Sequence, residues 1–159
     1  MSTENSKKHM LQAIKMADKN IVSGKGGPFG AVVVKDGKVI VAVGNRVTST
    51  NDPTAHAEVV AIRDACKKLK TFDLSGCEIY ASCEPCPMCL GAIMWARIDK
   101  LYFGADRKDA SFAGFDDELF YSELELPAER RKLNPTQLLK EEAIAVFDKW
   151  NKDVNKIPY

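Results

Sequence analysis

A chain of 159 residues, 45% hydrophobic and 28% charged, is long enough to bury one core without disulfides, and no run of eighteen apolar residues offers a membrane span. Lys and Arg number 23 against 22 Asp and Glu, a formal charge of +1, well short of the basic excess of a dedicated nucleic-acid binder. Three of the five cysteines crowd into seven positions. That spacing suits thiolate chemistry in a reducing cytoplasm better than a secreted disulfide framework, and the polar segment Met1 to His9 does not read as a secretory signal.

Residues 4–23 carry Met10, Ile14, Ala17 and Ile21 at helical spacing, with Gly24 placed to end the helix. The glycines of Gly26-Gly27-Pro28-Phe29-Gly30 permit close backbone paths. Ala31 to Lys35 and Lys38 to Gly44 are β-branched runs around Asp36-Gly37, a strong hairpin signal. Asn45 to Pro53 is polar and turn-like. A second helix is expected to begin around Thr54 to His56, burying Val59, Ile62, Cys66 and Leu69. Cys77 to Ala81 reads as a buried strand. A third helix follows, opened by the cysteine cluster and running to about Arg97, and Lys100 to Ala105 is a further strand. Asp116 to Leu126 and Gln137 to Lys152 read as helices joined by Pro127 to Pro135, the last with Leu139, Ala143, Val146 and Trp150 on its apolar face. Hairpin, helix, strand, helix, strand predicts an α/β layered domain with a mixed sheet.

Two stretches carry chemistry: Pro53-Thr54-Ala55-His56-Ala57-Glu58, and Ser82-Cys83-Glu84-Pro85-Cys86-Pro87-Met88-Cys89. Cys86-x-x-Cys89 at a helix start can present two sulfurs to one metal, and the helix N-terminus favours thiolate over thiol. Pro87 fits the first turn, where its missing N–H costs nothing. With His56 these would make three nitrogen and sulfur ligands for Zn2+, leaving the fourth position to water. Zinc lowers the pKa of its water to ~7, which makes hydroxide available at neutral pH, and Glu58 is close enough in sequence to move protons without coordinating the metal. A lone His-x-Glu carries little information, and a lone Cys-x-x-Cys is more often structural or redox. A structural zinc site could recruit Cys66, Cys77 or Cys83 as a fourth ligand, and Cys83-x-x-Cys86-x-x-Cys89 is also part of an iron–sulfur pattern. Neither accounts for His56-Ala57-Glu58 or for the prolines on either side of Cys86. Cys66 and Cys77 read as core and Cys83 as a buried spectator. His-x-Glu followed by Pro-Cys-x-x-Cys is the signature of zinc deaminases.

Laid out in full, the chain resembles the cytidine deaminase-like superfamily, and within it the small bacterial guanine deaminases. The likeness is carried by Gly26 to Val32, Ser49 to Glu58, Ser82 to Ile93, Trp95-Ala96-Arg97, Ala113-Gly114-Phe115-Asp116-Asp117 and the terminal Tyr159. The resemblance implies a three-layer α/β/α fold with a central mixed five-stranded sheet, one deaminase domain spanning 1–159, and hydrolysis of guanine at C2 to xanthine and ammonia. It implies zinc on His56, Cys86 and Cys89, Glu58 as proton shuttle, and substrate contacts from Asn45, Asp117, Phe29, Ala57 and Tyr159. Guanine's N1–H and amine are donors that a carboxylate such as Asp117 complements, and Asn45 can both donate and accept. The resemblance further implies a homodimer in which the segment 107–159 crosses to the partner's pocket. A tRNA adenosine deaminase or a cytosine or nucleoside deaminase shares the zinc core. Against the first stand the near-neutral charge and the seven acidic side chains between Asp109 and Glu129, where no Lys or Arg occurs. A zinc-stabilised binding module without turnover would have no use for Glu58.

Overall fold

The pleat of one strand, β1 (Gly30–Lys35), divides the core. Ala31 and Val33 join a cluster with Val60, Ala61, Ala65, Ile79 and Ile93, whereas Val32 and Val34 turn to Ala13 and Tyr80, the two-residue alternation of a strand covered on both faces. The structure, a computed structural model, describes residues 3–159, so Met1 and Ser2 of the polar leading segment lie outside the described residues. β2 (Lys38–Gly44) pairs antiparallel with β1 through the expected Asp36-Gly37 turn, where both residues have positive φ, 50° and 74°, as a two-residue hairpin requires. β3 (Cys77–Cys83) flanks β1 antiparallel, and β4 (Lys100–Ala105) runs parallel to β3.

The sheet is mixed, in the order β2-β1-β3-β4. Among the described residues it has four strands, not the five that the resemblance implied. The chain leaves β4 directly into a short helix: Asp106 accepts from the backbone N–H groups of Lys108 and Asp109, and the Asp109 side chain answers the Asp106 N–H. That capping box diverts the backbone from any further strand pairing.

Helix α1 (Thr3–Ser23) covers one face and ends, as expected, before Gly24, at φ 65°. Its inward stripe is rotated from the expected one: His9, Ala13, Ala17 and Asn20 are buried, while Ile14 and Ile21 are exposed. The small α2 (Val47–Thr50) lies within the stretch read as turn. The other face is covered by α3 (Ala57–Leu69) and α4 (Pro87–Trp95). α3 begins at Ala57 rather than in Thr54 to His56, because His56 has extended backbone, φ −61° and ψ 154°, and serves as N-cap. α5 (Arg107–Phe112) follows β4. No helix among the described residues is long and apolar enough to cross a membrane.

The chain divides into two compact units, the first ending at Asp117 and the second spanning Glu118–Tyr159. The second consists of α6 (Glu118–Glu125), a 3-10 turn at Ala128–Arg130 and α7 (Lys140–Lys152). α7 starts three residues later than Gln137 because Leu139 takes the left-handed conformation, φ 50°. None of the residues of this unit is buried.

Candidate metal centre and active site

Both chemistry-bearing stretches fold into helix entrances. His56 caps α3 and Cys86 caps α4, each with extended backbone. The two side chains meet. His56 Nδ1 lies 3.6 Å from Cys86 Sγ and 3.5 Å from Cys89 Sγ, and the three ligating atoms fall within 4.8 Å of one another. A tetrahedral zinc with Zn–S of ~2.3 Å and Zn–N of ~2.05 Å sets nitrogen and sulfur about 3.6 Å apart, so this donor set fits the ion. Because Nδ1 faces the sulfurs, a bound metal requires the ring proton on Nε2. Cys66 and Cys77 belong to the core beneath, and Cys83 points its thiol at the Asp106 carbonyl, 3.7 Å away. Among the described residues the cluster therefore offers three ligand atoms for a metal.

The protonation pattern follows from burial and contact. Cys86 is held down at about 4, first by the hydrogen bond from Cys89 and, against the opposing effect of burial, by His56. The hydrogen bond to Cys86 and burial raise Cys89, which keeps its proton while no metal competes for it. His56 is raised, chiefly by its bond with Cys86. A zinc ion held by these residues would reverse this arrangement, since ligating thiols give up their protons and the imidazole must be neutral. Glu58, in the first turn of α3, is buried. Burial raises its pKa and the Cys86 charge adds to the rise, with His56 and Cys89 opposing. A buried carboxyl lifted towards neutrality beside three metal-ligating groups would suit proton transfer once a metal is bound.

The surrounding loops are held by named contacts. Asp52 Oδ1 accepts from the Thr54 N–H and hydroxyl, at 2.8 and 2.6 Å, and pairs through Oδ2 with Arg63 at 3.2 Å. The Arg46 N–H donates to the Ala55 carbonyl at 2.9 Å, tying the end of β2 to the turn before His56. Ser82 Oγ accepts from the Gly30 N–H at 2.9 Å. Glu84 accepts the Arg107 N–H at 3.2 Å and so fixes the entrance to α5.

Asn45 is buried, and its Oδ1 accepts from the backbone N–H groups of Gly27 and Val47, at 3.3 and 3.0 Å. Its carbonyl is thus occupied within the chain, which corrects the expectation that it would both donate and accept: only Nδ2 is left to offer donors. Phe29 is half-buried and meets Phe115 edge to face, with centroids 4.8 Å apart. Two residues beyond Phe115, Asp117 is raised by burial first and then by the Cys86 charge, with Arg107 opposing. Asp117 therefore senses the cysteine cluster of its own chain. Ala57 has no exposed surface, so anything it offers a ligand comes from its backbone N–H at the start of α3. Tyr159 lies in the second unit.

The family model of the cytidine and deoxycytidylate deaminase zinc-binding region matches residues 3–105. This chain belongs to that family. Over 155 residues, which run past the matched region, the deaminase is 48% identical to the guanine deaminase of Bacillus subtilis, covering 98% of this chain and 99% of the relative. The X-ray structure of that Bacillus subtilis protein superimposes with a TM-score of 0.94 at 47% identity, covering 100% of this chain and 99% of the other. A tRNA-specific adenosine deaminase from Aquifex aeolicus is 49% identical over 82 residues, but these are 51% of the deaminase and 54% of the relative.

Two neighbours of the expected site residues carry no functional signal of their own in the sequence: Phe115 lies in a family-like stretch, and Asn20 is one polar position in a helix. For Asn20 the available signal was its spacing three residues from Ala17, on the stripe that α1 buries.

Proposed function

We propose that the protein is a zinc-dependent guanine deaminase, hydrolysing guanine at C2 to xanthine and ammonia in purine catabolism or salvage. The observation that carries this reading is the reach of the likeness. Identity to a guanine deaminase runs through the whole chain, past the zinc core, whereas the tRNA-specific adenosine deaminase likeness stays within half of it.

His56, Cys86 and Cys89 hold the zinc. Bound there, the ion supplies Lewis acidity that makes water a competent nucleophile at neutral pH. Glu58, with its raised pKa, takes a proton from the attacking water and returns it to the ring nitrogen. Glu58 then carries the remaining proton of the C2 hydroxyl to the exocyclic amine, which leaves as ammonia as the C2–N bond breaks and the C2–O bond becomes a carbonyl. Asn45 donates to an acceptor atom of the purine, and Asp117 accepts from its N–H donors. Phe29 lines the ring's pocket, the Ala57 N–H adds a donor at the head of α3, and Tyr159 of the partner subunit closes the pocket.

The same reading makes residues 1–159 one deaminase domain working as a cytoplasmic homodimer. Of the segment 107–159 expected to be exchanged, residues 107–117 hold to their own chain through Arg107 on Glu84 and Phe115 on Phe29, so the exchange would carry the second unit, 118–159. It is supported by the lack of any buried residue in the second unit, whose apolar Val146, Phe147 and Trp150 stand open and would gain from a partner. A solution mass of 17.6 kDa at all concentrations would rule the dimer out.

The substrate is tested by ammonia release from guanine, adenine, cytosine, cytidine and a tRNA anticodon stem. Release from guanine alone is expected. Release from RNA alone would replace the substrate and leave the zinc chemistry standing.

A further inference from the structure

Asn20 projects from the last turns of α1 into the core and is 7% exposed. Both of its amide hydrogens have partners: Nδ2 donates to the Asn45 carbonyl at 2.7 Å and to the Gly27 carbonyl at 2.9 Å. Those carbonyls belong to the two segments that frame the proposed base pocket, the glycine-rich loop before Phe29 and the end of β2. Asn45 in turn grips the same loop through Oδ1 and the Gly27 N–H, 3.3 Å away. The peptide groups of residue 27 and the amide of Asn45 are thus locked in one ring of bonds, with Asn20 as the hub.

Steric evidence agrees. A Cβ on Gly44 would lie 2.6 Å from Asn20 Oδ1, and one on Gly26 would lie 2.6 Å from Asn45 Oδ1. Both approaches are open only to glycine. α1 has no part in the metal cluster, yet it spends a buried polar side chain on this junction, and burying an amide is costly unless its bonds are made.

We infer that Asn20 is a positioning residue for substrate recognition: by clamping the carbonyls of Gly27 and Asn45 it fixes the Asn45 amide with its oxygen inward and its donors towards the substrate. This deepens the guanine reading and rests on it. Without the clamp, the Gly27 N–H drifts from Asn45 Oδ1, the amide gains freedom to turn over, and an acceptor then faces an acceptor for part of the time.

The test is steady-state kinetics on guanine with zinc-loaded Asn20→Ala and Asn20→Ser, alongside zinc content and thermal melting. A raised KM, tenfold or more for Asn20→Ala and less for Asn20→Ser, is expected, with kcat within about threefold of wild type and one zinc per chain. The double variant Asn20→Ala/Asn45→Ala should have a KM no higher than Asn45→Ala alone, because the clamp has nothing left to orient. A folded variant with wild-type KM overturns the inference, as does a double variant in which the two effects multiply. Should Asn20→Ala fail to fold, Asn20→Ser, whose hydroxyl keeps one donor, supplies the same reading. Wild-type protein inactive on guanine would sink the substrate assignment, whereas wild-type turnover with unmoved KM would sink the clamp alone.

Discussion

The two faces of the sheet divide the labour of the site. On the α3 and α4 face, polarity is confined to the helix entrances, where His56 and Cys86 stand at N-caps over a core of Val60, Ala61, Ala65 and Ile93. On the α1 face, polar groups lie inside the packing: Asn20 serves the loops of the site, and the Tyr80 hydroxyl donates to Glu78 Oε2 at 2.8 Å while its ring stacks on Tyr102 at 4.6 Å. The first arrangement places reactive atoms at a free helix end, where unpaired N–H groups favour negative charge. The second holds geometry. Substitutions on the first face should therefore change chemistry, and those on the second stability or positioning.

The largest effect should come from Glu58→Gln. Zinc content by atomic emission should stay at one per chain while kcat falls by roughly a thousandfold. Near-normal turnover would remove Glu58 from the proton path and dissolve the contrast.

Next in size is Asp117→Ala. Loss of a hydrogen bond to a charged group costs roughly 1.5–3 kcal/mol, so kcat/KM for guanine should drop about ten- to a hundredfold with full zinc occupancy. If the metal is lost in parallel, Asp117 supports the cluster rather than the base.

Stripping zinc with a chelator should expose a difference among the cysteines. Cys86, at about 4, is thiolate throughout the neutral range, whereas Cys83 is pushed up to about 11 by burial and by the Glu58 charge, and burial raises Cys66 and Cys77. Iodoacetamide at pH 6.5 should therefore label Cys86 first in the metal-free protein and spare it when zinc is restored, as read by peptide mass spectrometry. Equal labelling of Cys83 and Cys86 would contradict the assignment of charge.

The smallest effect belongs to the α1 face. His9 Nδ1 is buried with no hydrogen-bond partner among the described residues, and the ring lies tilted against Tyr80 with centroids 5.3 Å apart. His9→Phe keeps an aromatic ring there and removes the unpartnered nitrogen, so it should stabilise by ~1 kcal/mol in chemical denaturation and leave kcat and KM unchanged. A change in KM would show that this end of α1 also feeds the site.

The metal group was legible in the sequence because its parts are local. Cys86-x-x-Cys89 spans one helical turn, Pro87 marks that turn's start, and Glu58 follows His56 by two residues. The buried face of α1 departs from the apolar stripe for a physical reason: hydrophobic spacing points to Ile14 and Ile21 as well as Ala17, but the surface beneath the helix takes small residues and donors, so Ala13, Ala17 and Asn20 face inward. Phe115 was equally hidden, since its value comes from meeting Phe29, 86 residues earlier in the chain.

Taken alone, the sequence determined the hairpin, the layered α/β order and the set of thiolate, imidazole and carboxylate groups able to hold and serve zinc, because each is written in short-range spacing that backbone geometry reads directly. Tertiary structure decided the rest. It set the 3.5 and 3.6 Å separations that suit one tetrahedral ion, ended the sheet at four strands among the described residues, and engaged the Asn45 side-chain oxygen with the N–H groups of Gly27 and Val47. Those outcomes depend on segments far apart in the chain meeting at fixed distances, and only the packed sheet, with α1 on one face and α3 and α4 on the other, supplies them.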